Sequence, residues 1–224
     1  FYSYLQNFMC GIESFRSSHN IHYDLIHSHY WLSGLTGKQL QIWWHIPHII
    51  MFHTLAAVKN SIGLGMDEPE LRVENERELV HICDRIIAAT AREKNELIQH
   101  YGASGEGISV IPCGVNLNLF KPQNKNRARL ELGLDHQKVL LYVGRLEPLK
   151  GLEQLLVAIS KTITPDKLRL IIIGGDYYSQ DRINDLKKMA AGLHIQNSIS
   201  FLGSVKHDKL PMFYNAADVS VIPS

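Results

Sequence analysis

Cysteine is scarce in this 224-residue chain: Cys10, Cys83 and Cys113 are odd in number and widely spaced. They form no CxxC pair and no disulfide framework, which fits a reducing, cytoplasmic setting. An excess of one charge is lacking too. Lys and Arg number 23 against 22 Asp and Glu, a formal net charge of +1. That balance argues against nucleic acid as a partner and against a broad anionic-membrane surface, while leaving room for a small anion pocket and for peripheral membrane contact. No apolar run approaches the ~20 residues that span a bilayer. Neither a GxxxxGK[ST] loop nor a GxGxxG fingerprint occurs. What is present is ordinary globular material, 45% hydrophobic and 20% charged, enough for a real core. The chain opens on Phe1 without a leader pattern and stops inside an apolar stretch, so it reads as a fragment cut at both ends.

Short β-rich runs alternate with amphipathic stretches. Strands are expected at 23–28, 48–53, 85–90, 108–112, 138–144, 168–174, 198–202 and 219–223. Several are continuously apolar, such as Val139-Leu140-Leu141-Tyr142-Val143 and Leu170-Ile171-Ile172-Ile173. Such strands are buried on both faces, as in parallel sheets covered by helices. Helices are expected at 70–83, 91–101, 128–134, 152–162, 180–193 and 208–217. Thr90, with Glu93 three residues on, has capping-box spacing. The alternation implies βαβ units, hence an α/β fold. The polar, turn-rich stretch 114–127 reads as a linker between two α/β halves, 1–120 and 121–224.

Histidine is unusually frequent: 12 residues, seven of them between His19 and His53. His27 and His29 share a strand face, and with His53 they could form a metal site. Solvated or hydrogen-bonded rings, one of them lining a cleft, are the alternative, and no Cys pair or HExxH supports a metal. His53-Thr54 ends an apolar strand, where open α/β sheets bind ligands, although a strand-end His also caps helices. Gly144-Arg145-Leu146-Glu147-Pro148-Leu149-Lys150-Gly151 follows a buried strand and precedes a helix. Its two cations could hold a diphosphate beside a helix N-terminus, or simply face water. Gly174-Gly175 ends another buried strand, as a turn or as a place for close ligand approach. Tyr30, Thr54 and Arg72 together would make a hydroxyl-rich, cationic pocket suited to a phosphate, although a lone helical Arg is usually solvated or ion-paired, here with Glu76 on its own helix.

Five ordered segments carry a family resemblance: HSHYWLSG (27–34), FHTLAAVKN (52–60), IPCGVN (111–116), VGRLEPLKG (143–151) and FLG (201–203). Over essentially its whole length the chain resembles family 4 retaining glycosyltransferases of the GT-B fold. That family includes sucrose-phosphate synthases and the mycothiol-pathway transferase acting on inositol phosphate, and the HTLAAVKN stretch leans towards the latter. The resemblance implies two Rossmann-like domains, both incomplete here. The N-terminal one would hold the acceptor and the C-terminal one a nucleotide-diphosphate sugar. Arg145 and Lys150 would bind the donor diphosphate and stabilise its departing charge, with Gly175 and Val205 also on the donor side. His53 would stand at the reaction centre. Tyr30, Thr54 and Arg72 would grip a phosphorylated or polyol acceptor. A UDP-sugar would supply the hexose, with no cofactor and no catalytic metal. The family's first strand and glycine-rich loop would precede Phe1, and its Glu-x7-Glu segment would follow Ser224. A nucleotide-sugar-binding piece without turnover and a GT-B nucleotide-sugar epimerase are the alternative readings.

Overall fold

The computed structural model describes residues 2–63, 67–134, 136–162 and 167–223, apart from the side chain of Tyr177. It separates into two compact units, 1–114 and 115–224, so the division falls six residues before the expected 120/121 boundary. No helix among the described residues is long and apolar enough to cross a membrane.

In chain order, the first unit comprises α1 (Leu5–Ser18), β1 (Ile26–His29), α2 (Trp31–Trp44), β2 (His48–Met51), α3 (Ala56–Ile62), α4 (Glu70–Ile82), β3 (Arg85–Ala88), α5 (Ala91–Tyr101) and β4 (Ile108–Val110). Its four strands form one parallel sheet in the order β1-β2-β3-β4. The core gathers Ile50, Phe52, Leu79, Ile86, Leu97 and Tyr101 between the sheet and α4 and α5. Thr90 caps α5 as its spacing suggested, with Oγ1 accepting from Glu93 N at 3.0 Å. The reciprocal arm differs: the Glu93 carboxylate accepts from Ala89 N at 2.7 Å, one residue earlier than in a capping box.

Helices α1, α2 and α3 were not expected from sequence. None of α1's residues is buried, so it carries little of the apolar periodicity that marks a core-facing helix. The buried positions of α2 are Gly34, Thr36, Gly37 and Leu40, mostly small residues. They let the helix approach the sheet closely. A Cβ on Gly37 would lie 2.3 Å from Nε2 of His48. His48 is fully buried, its Nε2 2.7 Å from Ser28 Oγ and its Nδ1 3.5 Å from Cys83 Sγ.

The second unit comprises α6 (Lys125–Glu131), β5 (Lys138–Val143), α7 (Leu152–Ser160), β6 (Leu168–Ile173), α8 (Gln180–Gly192), β7 (Ile199–Gly203), α9 (Leu210–Ala216) and β8 (Val219–Ser220). Its parallel sheet has the order β7-β6-β5-β8. Alternate residues of the two central strands face opposite sides. Tyr142, Leu170 and Ile172 join Leu152, Leu156 and Leu186 in one cluster. Val139, Leu141, Ile171 and Ile173 join Phe213 in another. The two-sided burial expected of continuously apolar strands is therefore observed. Asp218, just before β8, accepts from Val139 N at 2.7 Å, Lys125 Nζ at 2.6 Å and Arg129 Nη2 at 2.6 Å, tying α6 to the sheet. These donors hold its carboxyl well below the usual carboxylate range.

Two stability predictions follow from this packing. Leu156 is fully buried, so Leu156→Ala lowers unfolding free energy by about 2–5 kcal/mol, read from urea midpoints. Burial lowers the His48 pKa from 6.5 to about 4. The unfolded chain takes up this proton first, so stability falls as pH drops from about 6.5 towards 4, by at most about 3 kcal/mol. Urea titrations at pH 7.5 and 5.0 show the loss, and a non-titrating His48→Gln variant shows a smaller pH difference.

Candidate functional site

In each sheet the residues of interest sit where parallel strands end, because there the chain leaves the ladder and exposes loop backbone and side chains at one edge. At the end of β1, Tyr30 adopts φ +75°; just past β2, His53 adopts φ +63°. Left-handed backbone is uncommon for bulky residues and costs about 1–3 kcal/mol each, so its recurrence on neighbouring strand ends marks a constrained rim. Tyr30 is held by its N–H, which donates to Met51 O at 2.9 Å.

The constraint comes from α4. Arg72, 1% exposed, donates from Nε to Glu76 Oε1 at 2.7 Å and from Nη2 to both O and Oγ1 of Thr54 at 3.0 Å. Its guanidinium lies over the Tyr30 ring, 4.8 Å from the centroid. The structure thus brings Tyr30, Thr54 and Arg72 together. Carboxylates join them, which the sequence reading of a purely cationic pocket did not include. Nη1 forms an ion pair with Glu68 at 2.9 Å, and Glu68 also pairs with Lys59. Glu76 is fully buried, and its Oε2 accepts from Ala56 N at 2.9 Å and from the Tyr101 hydroxyl. Tyr101 in turn accepts from Ala57 N at 2.9 Å. Burial acts to lower the Arg72 pKa, but Glu76 and Glu68 outweigh it and the net shift is upward. Burial first, and then the Glu76 carboxylate, push the Tyr101 phenol up. Pairing of Arg72 with Glu76 was the alternative to phosphate binding; Glu68 and Tyr101 were missed in the sequence, and the (i, i+4) spacing of Glu68 and Arg72 was the available signal for the first.

The three histidines considered as ligands also meet. The rings of His27 and His29 have centroids 4.4 Å apart, and His29 Nδ1 lies 2.8 Å from His53 Nε2. That contact engages one ring nitrogen of each with the other. No group of three His, Cys, Asp or Glu side chains that could hold a metal occurs among the described residues.

In the second unit, the strand order reverses between β5 and β8, the switch point where doubly wound sheets bind ligands. The 144–151 loop leaves β5 there. The Tyr142 hydroxyl donates to Arg145 O at 2.6 Å, and a single turn, Pro148–Lys150, ends at Gly151 with φ +67°. A Cβ on Gly151 would stand 2.5 Å from Pro223 O, so the loop lies hard against the segment after β8. Arg145 is exposed and paired with Glu147 at 2.7 Å. Lys150 is half-buried, and no partner for its Nζ is present among the described residues. Gly174, φ +142°, accepts no side chain: a Cβ would sit 1.8 Å from Gly144 O. Arg145 and Gly175 line one cavity of about 530 Å³ with Asp176, Tyr178 and Arg182. Lys150 and Val205 lie outside its lining, Val205 packing against the Val139–Phe213 cluster. Arg182 was also missed. It donates from Nε to Leu146 O at 2.9 Å and pairs with Glu153, fastening the loop to α7 and α8.

A family model described as Glycosyltransferase Family 4 matches residues 4–119, more than half of the chain. The chain belongs to glycosyltransferase family 4. A second model, Glycosyl transferases group 1, matches residues 124–224. Among curated proteins, the D-inositol 3-phosphate glycosyltransferase of Geodermatophilus obscurus is 40% identical over 212 residues, covering 91% of this chain and 47% of that protein. The enzyme of that name from Corynebacterium diphtheriae is 38% identical over 229 residues, covering 98% and 54%. The chain therefore spans about half the length of the curated relatives it matches. Sucrose-phosphate synthase from Thermosynechococcus elongatus superposes with a TM-score of 0.88 at 27% identity, over 100% of this chain and 55% of that one. Anabaena HepE, solved in complex with UDP and glucose, shares the fold at 22% identity, TM-score 0.77, over 93% and 54%. The two parallel α/β units of this family 4 chain match GT-B glycosyltransferase structures.

The Arg72 network generates a prediction. Glu76→Ala leaves a buried guanidinium without its closest counter-charge and lowers stability by about 3–5 kcal/mol, whereas a surface pair such as Arg127–Glu131 contributes at most about 1 kcal/mol. Chemical denaturation of Glu76→Ala and Glu131→Ala side by side checks the contrast.

Proposed function

We propose that this chain carries the working halves of a retaining hexosyltransferase. The observation that carries the reading is the rim of the first sheet: strained Tyr30 and His53 at neighbouring strand ends, with Tyr30 and Thr54 held against buried Arg72. The names of the curated relatives support a phosphorylated acceptor such as an inositol phosphate on this side. Here Arg72 Nη1 is the arm nearest to being available. It is buried without a well-formed hydrogen bond, and its partner Glu68 is the more exposed of its two carboxylates. His53 stands at the reaction centre of this scheme.

The donor side is the 144–151 loop at the switch point of the second unit, with Gly175 and Val205 contributing there. The donor is a UDP-sugar, a choice supported by the bound UDP of a protein sharing the fold. In the reaction the bond from the anomeric carbon to the diphosphate oxygen breaks. The acceptor hydroxyl oxygen bonds to that carbon on the same face, and its proton passes to the departing phosphate oxygen. Arg145 and Lys150 oppose the negative charge that grows on the diphosphate, where preorganised cations act most strongly. The scheme invokes no metal or cofactor step. The free cysteines Cys10, Cys83 and Cys113 support a cytoplasmic setting.

Calorimetry with UDP and UDP-glucose, together with UDP release in the presence of inositol phosphate, tests the scheme. Arg145→Ala and Lys150→Ala each remove a charge-assisted contact of about 1.5–3 kcal/mol, weakening UDP binding by roughly tenfold to a hundredfold. Unchanged UDP affinity in both variants overturns the donor assignment. Because the chain spans about half its relatives' length, binding without turnover is the second reading, and UDP binding with no sugar transfer identifies it.

A further inference from the structure

The contact between His29 and His53 is not used by the scheme above. Strands β1 and β2 pair in register with His29 opposite Met51, two residues before His53. An extended continuation of β2 would carry residue 53 away from β1. Instead the left-handed backbone at His53 turns its ring back over the end of β1. The two imidazoles lie nearly coplanar, with centroids 5.1 Å apart and planes at 21°, and His53 Nε2 meets His29 Nδ1 at 2.8 Å. His27 supports the other side of His29, with centroids 4.4 Å apart. Two neutral imidazoles share such a contact only when one nitrogen bears the hydrogen and the other is bare. Each ring therefore dictates the tautomer of the other.

We infer that His29 is a positioning residue for His53: it occupies Nε2, fixes the ring's rotamer and tautomer, and leaves Nδ1 as the only ring nitrogen of His53 that can address a substrate. The inference rests on the reading of His53 as the reaction-centre residue. It explains why a residue as bulky as histidine is kept in left-handed backbone, since only that turn brings the two rings together. Asparagine at position 29 can place an amide near the position of Nδ1 and preserve the contact, while leucine keeps bulk and removes it.

The test has two arms. Nitrogen-15 spectra of the histidine-labelled 224-residue chain report tautomers directly. Wild type and His29→Asn show His53 in one tautomer, and His29→Leu shows the averaged mixture of a free imidazole. A His53 spectrum unchanged in a folded His29→Leu overturns the inference. In transfer assays His29→Leu lowers kcat by roughly tenfold to a hundredfold, the cost of a misplaced reacting group, with donor KM within about twofold. His29→Asn restores most of that loss; a kcat equal to wild type in His29→Leu overturns the positioning role. Absence of transfer in the wild type counts against the proposed function alone, because the spectra still decide whether His29 governs His53.

Discussion

The buried ion pair between Arg72 and Glu76 organises the first unit's rim. Neither group reaches water, so each is tolerated only because the other, with Thr54, Tyr101 and the amide of Ala56, satisfies it. The geometry this demands is narrow. Residues 54–57, from the link after β2 into α3, must pass within hydrogen-bond reach of α4 and of Tyr101 on α5, and Tyr30 must lie beneath the guanidinium. With both flanks of His53 fixed in this way, its left-handed backbone is over-determined. The strain at the two strand ends is supported by the pair and not by local sequence preference.

The second unit reaches a comparable result without a buried charge. Its rim is built by exclusion. Backbone approaches backbone so closely at Gly174, against Gly144 O, and at Gly151, against Pro223 O, that no side chain fits. The reversal of strand order opens a crevice beside the β5 loop, and Arg182 fastens that loop from behind through Leu146 O. The glycines and the arginine do different work. The former bring the main chain to the ligand edge, and the latter keeps the loop from drifting along it.

Much of this was legible from residues alone, and the parts that were not share a cause. Strands β5 and β6 announced themselves because alternate residues of 139–143 and 170–173 feed two different apolar clusters, so these runs must be apolar throughout. Helix α5 was bounded to the residue, since Thr90 stops it at one end and Gly102, with φ +69°, at the other. Helices α1 and α2 stayed hidden because neither buries the large apolar stripe that periodicity detects. The first buries none of its residues and the second buries small ones under His48. In the site, cations were visible as motif positions. Glu76 was visible as a partner for Arg72 on the same helix, but Glu68 was not, because it lies just before α4 and looks like any solvated carboxylate until packing brings it to Arg72. The fate of Arg72 was undecidable by pattern: pairing with Glu76 and contact with Thr54 are not alternatives but one arrangement.

Magnitudes separate the arginines further. The Arg145–Glu147 pair is solvent-exposed on both sides and therefore contributes at most about 1 kcal/mol, less than a charge-assisted contact to a diphosphate returns. Arg145 can exchange its partner for a ligand at almost no cost. Arg72 cannot: freeing it from Glu76 strands two buried charges, a loss of about 3–5 kcal/mol that no single anion contact recovers. Under the proposed function an acceptor would therefore be met by the edge of Arg72 that Glu68 covers, with Glu76 and Thr54 left undisturbed. Binding on the two sides would then be unlike in kind: the proposed donor side open to rearrangement by the ligand, the proposed acceptor side preformed, with one partly exposed carboxylate to displace.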